Sequence, residues 1–167
     1  MRKTISIGKQ SFSSLREHDN FFVDKTNFIK EWWEKEDDIT LIARPRRFGK
    51  TLNMSMLECF FSNKYANRAD LFEGLSIWEE EKYRQLQGTY PVIFLSFAAV
   101  KADQLSEAKI QIKQQIARVY EENRYLLDGD LLSGNEKKAY NEVNLHMGDA
   151  EAAAALNNMS MYLARYY

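Results

Sequence analysis

The sequence predicts an α/β fold in which a few parallel strands are flanked by helices. Two short runs, ITLIA at 39–43 and PVIFLSFAA at 91–99, have the length and the β-branched or aromatic content of buried strands. Each is followed by a longer segment with apolar residues at helical spacing, and strands alternating with helices become parallel neighbours. Between the first strand and its helix stands Gly49-Lys50-Thr51, which suits a strand-to-helix turn.

In chain order, a polar lead-in precedes DKTNFIKEWWEKEDD, where Phe28, Ile29, Trp32 and Trp33 recur at helical spacing. Asp24 or Thr26 is the expected cap, and Glu36, Asp37 and Asp38 break the pattern. After the 39–43 strand, GKTLNMSMLECFFSNK places Leu52, Met56, Cys59 and Phe60 on one helical face. Leu71, Phe72, Leu75, Ile77 and Trp78 read as anchors of a loop packed on the core. The second strand enters at Pro91, where a missing N–H is tolerated. A long amphipathic helix follows, with Leu105, Ala108, Ile112, Ile116 and Val119 expected inward. LLSGNEKKAYNEVN suggests a short helix, and Asp149 is the expected cap of a last helix carrying Leu156, Met159, Leu163 and Tyr166. Two strands are few for such a sheet, and the chain stops where the alternation would supply the next one.

Size and apolar content (167 residues, 45% hydrophobic) suit one globular piece spanning 1–167, without repeats or linkers. A single cysteine, Cys59, excludes an intramolecular disulfide and suits a reducing compartment. The start does not read as a signal peptide and no run is long enough to span a bilayer, so a cytoplasmic location and no membrane partner are expected. A formal net charge of −1 gives no global attraction to nucleic acid.

The chemistry concentrates in LIARPRRFGKTL, 41–52. A phosphate loop reads G-x-x-x-x-G-K-[ST]: backbone N–H groups wrap the phosphates, the lysine reaches the terminal ones, and the hydroxyl holds Mg²⁺. Gly49, Lys50 and Thr51 fill the last three places, while Arg44 stands where the first glycine belongs and Pro45 offers no N–H. The amides of Phe48 to Thr51 remain, and Arg44, Arg46 and Arg47 supply compensating donors. The expected nucleotide-binding set is Arg46, Arg47, Phe48, Gly49, Lys50, Thr51 and Leu52, with Thr51 on the Mg²⁺ that accompanies ATP or GTP. A solvated basic turn before an amphipathic helix is the plainer alternative, and a grip on a nucleic-acid backbone through the arginines is a third.

Four blocks, FSSLREHDNFFVDKTNFI, ARPRRFGKTLNMSMLECFF, LFEGLSIW and YPVIFLSF, together resemble a bacterial family of AAA-ATPase-like proteins and cover most of 12–98. In that family RPRRFGK[ST] is the usual loop, so the resemblance makes Arg44 a family trait. It implies an incomplete P-loop NTPase-like domain, Mg²⁺ with ATP as cofactor, and often a C-terminal nuclease-like domain of the restriction-endonuclease type. It also implies that Val23 to Thr26 lie near the nucleotide, although Asp24 as a simple helix cap explains that block equally well. Family members continue into an apolar Walker B strand ending in acidic residues, which 1–167 does not contain. The chain is therefore expected to be the N-terminal portion of such a domain, cut before Walker B, with little or no hydrolysis and no catalytic residue of its own. An interaction module without nucleotide turnover, dimerising through an exposed sheet edge, is the alternative.

Elsewhere, Ser96 falls near the end of the second strand, where open α/β sheets place ligands, or is only a tolerated hydroxyl. His18 and His146 lack metal-ligand spacing, and Cys59 reads as core.

Overall fold

A computed structural model describes residues 3–45 and 47–167. Among these residues the regular elements are helical: α1 (Phe12–Glu17), α2 (Asn27–Lys35), α3 (Lys50–Phe61), α4 (Glu81–Leu86), α5 (Leu105–Glu122), α6 (Gly134–Glu142) and α7 (Asp149–Tyr166), with four short 3₁₀ turns. The β pairing among them is one isolated parallel bridge, Ser62 to Tyr90.

This overturns the α/β expectation of parallel strands. A strand exists only through ladder hydrogen bonds to another backbone, and neither 39–43 nor 91–96 makes a backbone hydrogen bond among the described residues. The apolar character of 91–97 serves side-chain packing instead: Val92 lies against one core, and Ile93 and Leu95, two apart, lie against another. In 39–43, Ile39 and Leu41 are 89% and 87% exposed, the opposite of a buried parallel strand.

The chain divides into two compact units, one running to Val92 and one from Ile93 to Tyr167. The N-terminal unit is built around aromatic residues. Phe12 lies 5.1 Å from Phe72, and Phe60 lies 5.1 Å from Phe72 and 5.0 Å from Phe61. Helix α1, which the sequence reading passes over as polar lead-in, forms because Ser11 caps it by accepting the Ser14 N–H. Phe12 and Leu15, three apart, bury its inner face. Arg16 then ties it to the Leu71 and Glu73 carbonyls at 2.7 and 2.8 Å. The expected anchors Leu71, Phe72, Leu75 and Ile77 are buried, and Trp78 is half-buried against the same core.

Helix α3 carries Met56, Cys59 and Phe60 inward, as its spacing predicts. Burial pushes the Cys59 thiol up to about 11, so it behaves as a small core hydrophobe. The last carbonyls of α3 are satisfied by a strap formed by residues 87–90. Gly88 N donates to Phe60 O at 2.7 Å, Tyr90 N to Phe61 O at 2.9 Å, and the Gln87 side-chain amide reaches Cys59 O. The orphan groups of the helix end are thus paired.

In the C-terminal unit, Ile116, Val119 and Tyr120 of α5 pack with Met159, Tyr162 and Leu163 of α7. Tyr140 of α6 joins the same core. Tyr120 donates to Ala155 O at 2.8 Å and Tyr140 to Tyr120 O at 2.6 Å, so the buried phenols are paired. Only the later half of α5 buries its stripe; Leu105 is 74% exposed against expectation, and Ile112 is exposed too. The short helix expected after Leu131 is α6, started by a capping box of Ser133 and Glu136. Asp149 does not cap α7, whose N-cap is Gly148. Its carboxylate instead takes Lys109 at 2.5 Å and Lys113 at 2.9 Å, which hold its pKa down to about 2. Among the described residues no helix is long and apolar enough to cross a membrane.

Candidate functional site

The turn before α3 has an unusual backbone. Arg47 and Gly49 both take the left-handed region, at φ 69° and 75°. Left-handed residues alternating with a right-handed or extended one, here across Phe48, can turn amides toward a common concavity. A Cβ on Gly49 would meet no atom within 4 Å, so only its dihedral demands glycine. Gly49→Ala should therefore cost about 1 kcal/mol, the strain of one alanine in that region, read as a modest fall in thermal midpoint.

Gly49 is the N-cap of α3 and offers no side-chain acceptor, and the first turn, Lys50-Thr51-Leu52, holds no acidic residue. The first helical amides and the positive dipole end thus meet no acidic side chain from the helix's own first turn, which suits an external anion. The Lys50 ammonium curls back over the loop to the carbonyls of Arg44 and of Pro45, the latter at 3.0 Å. Thr51 is exposed at the helix start.

Lys50 also lines a cleft of about 410 Å³ in the N-terminal unit. Arg44 and Lys25 contribute two further cationic side chains. Phe28, Ile42 and Phe48 supply apolar wall; Asn27, Asn53 and Glu31 supply polar groups, Glu31 being the one carboxylate among these lining residues. A cationic cleft with aromatic wall beside an uncapped helix start can hold a phosphate chain at one end and a flat ring against Phe28 or Phe48.

Of the expected set, Phe48 and Lys50 line this cleft, while Arg47, Gly49 and Thr51 shape the adjoining turn. Leu52 is half-buried against the core of the N-terminal unit, so its side chain is structural. Arg46 lies outside the described residues. Asp24 accepts from Thr26 N and Oγ1 at 2.9 and 2.7 Å and from Ser76 N and Oγ at 2.7 and 2.6 Å. It is a structural tie. Thr26, not Asp24, is the N-cap of α2, and it makes no side-chain cap bond. The Ser96 hydroxyl accepts the Ala98 amide at 3.4 Å, a local turn contact. The residues missed were Asn27, Glu31 and Asn53; Asn27 and Glu31 sit four apart on the polar side of α2, and Asn53 three after Lys50, spacings that put each on a shared face.

The sequence profile of a family described as Predicted AAA-ATPase matches residues 6–163. The chain belongs to that family. The match runs through both units, including α1 and α7, and therefore extends well past the loop. Among curated proteins, an uncharacterized protein in the vnfD 5' region of Azotobacter chroococcum mcd 1 is 35% identical over 97 residues. That stretch is 58% of this chain and 17% of the Azotobacter protein, so the AAA-ATPase-like chain matches a small part of that longer relative. No solved structure matches it.

Proposed function

We propose that the chain binds the phosphates of a nucleoside triphosphate, ATP or GTP with Mg²⁺, at the start of α3. The observation that carries this reading is the uncapped, acid-free helix start with Gly49 in the left-handed region and Lys50 beside it, opening into a cationic cleft. Membership of a predicted AAA-ATPase family supports it. The amides of Phe48 to Thr51 cradle the phosphates, Lys50 leaves its two carbonyls for the terminal phosphates, and the Thr51 hydroxyl faces the metal. The side chains of Arg44 and Arg47 add bidentate donors at the loop's rim.

Titration of Mg-ATP into the wild type and Lys50→Ala is the test. The variant should bind at least about tenfold more weakly, the loss of one charge-assisted contact. Superimposable binding curves would remove the reading.

A further inference from the structure

The three cations among the described lining residues of the cleft are not equivalent. Arg44 and Lys50 belong to the loop, whereas Lys25 arrives from a separate turn ahead of α2. That turn is pinned on both sides of Lys25. Before it, Asp24 takes four hydrogen bonds, two from Thr26 and two from Ser76. After it, Thr26 is fully buried and its Oγ1 accepts the buried Ile77 N–H at 3.1 Å. Flanking residues therefore fix the backbone of a single exposed lysine whose ammonium forms no ion pair among the described residues. A long lysine stem loses much entropy on ordering, and a rigid backbone lowers that cost for a ligand contact.

The cleft also carries an unbalanced charge. Lys25, Arg44 and Lys50 face one carboxylate, Glu31. Like charges gathered in a concave surface repel until an anion enters.

We infer that Lys25 is a third phosphate-binding residue of this site, delivered by the Asp24–Ser76 and Thr26–Ile77 ties, and that it contacts the anionic chain of the nucleotide from a segment separate from the loop. This rests on the nucleotide-binding reading above. Within the Asp24-Lys25-Thr26 tripeptide the outer residues are structural and the middle one meets the ligand. The Lys25 side chain acts as a charge and donor, while its carbonyl accepts the Phe28 N–H at the start of α2.

The test compares wild type, Lys25→Met and Lys25→Arg for binding of Mg-ATP and of inorganic tripolyphosphate, together with their thermal midpoints. Lys25→Met should weaken both ligands roughly tenfold at low salt, as expected for one lost charge-assisted bond. The gap should narrow as added salt screens an exposed cation. Lys25→Arg should recover most of the affinity, and the ligand-free midpoint should stay unchanged in both variants. Equal binding by Lys25→Met and wild type overturns the inference, as does a loss that is salt-insensitive, unrestored by arginine and accompanied by a lower midpoint. Binding that is lost in Lys50→Ala yet intact in Lys25→Met overturns the role of Lys25 alone. Absence of binding by the wild type overturns the nucleotide reading and this one with it.

Discussion

A Gly88→Ala variant should lose about 3 kcal/mol of stability, the sum of one left-handed alanine and an overpacked contact. Gly88 sits at φ 72°, and a Cβ placed there would lie 2.4 Å from the Cα of Ala66 and 3.0 Å from its nitrogen. Both atoms are backbone, so no side chain can swing aside. The clash also falls on the strap that ends α3, because Gly88 N is the donor to Phe60 O. Moving Gly88 by the required amount therefore breaks a buried hydrogen bond as well as relieving the contact. Urea unfolding followed by tryptophan fluorescence reads the result through Trp32 and Trp33, which lie 5.3 and 5.4 Å from Phe61 at the same helix end. An unfolding midpoint equal to that of the wild type would contradict the geometry.

Asp24→Ala should cost about 2 kcal/mol, the usual range for removing a charged hydrogen-bond partner, tempered by solvent. Burial would raise the Asp24 carboxyl, but the bonds from Ser76 and Thr26 together outweigh it and hold the pKa down to about 2. The ordinary value is 3.8. A carboxyl depressed on folding stabilises the fold fully above its unfolded pKa and loses that contribution as pH falls toward the folded one. The window is thus pH 4 down to 2, and the contribution is about 1 kcal/mol once exposure is discounted. Thermal midpoints of wild type and Asp24→Ala should differ most at neutral pH and draw together below pH 3. A difference that is constant across that range would show that the carboxylate charge plays no part. Asp149 and Glu136, each held down to about 2, titrate in the same window from the C-terminal unit. Following the tryptophans keeps the readout on the N-terminal unit, where Trp32, Trp33 and Trp78 all lie.

Helices were legible from sequence because their signal is local. The 3.6-residue recurrence of Met56, Cys59 and Phe60, or of Met159 and Leu163, determines which face is buried whatever that face meets. The strands were misread because strand formation depends on a partner elsewhere in the chain. VIFLSF has the composition of a strand, yet Ile93 and Leu95 are used as helix-packing side chains without any ladder. Helix α1 was missed since six residues carry too little periodicity, and its stability comes from Ser55, Leu71 and Glu73, distant in sequence. In the candidate site, Gly49 and Lys50 were legible because the motif specifies them by spacing. Lys25 could be placed only by resemblance, and the polar wall of Asn27, Glu31 and Asn53 was not legible, because a cleft between α2 and the loop is a tertiary property.

The two carbonyls that hold the Lys50 ammonium give the loop a resting state of its own. On the nucleotide-binding reading, ligand meets a mixture in which only those molecules with a released lysine are ready to receive it. The apparent affinity would be the intrinsic one multiplied by that ready fraction, so each 1.4 kcal/mol by which Arg44 and Pro45 retain the lysine would weaken apparent binding about tenfold. On that reading, two uncharged peptide oxygens tune how readily the site accepts its ligand.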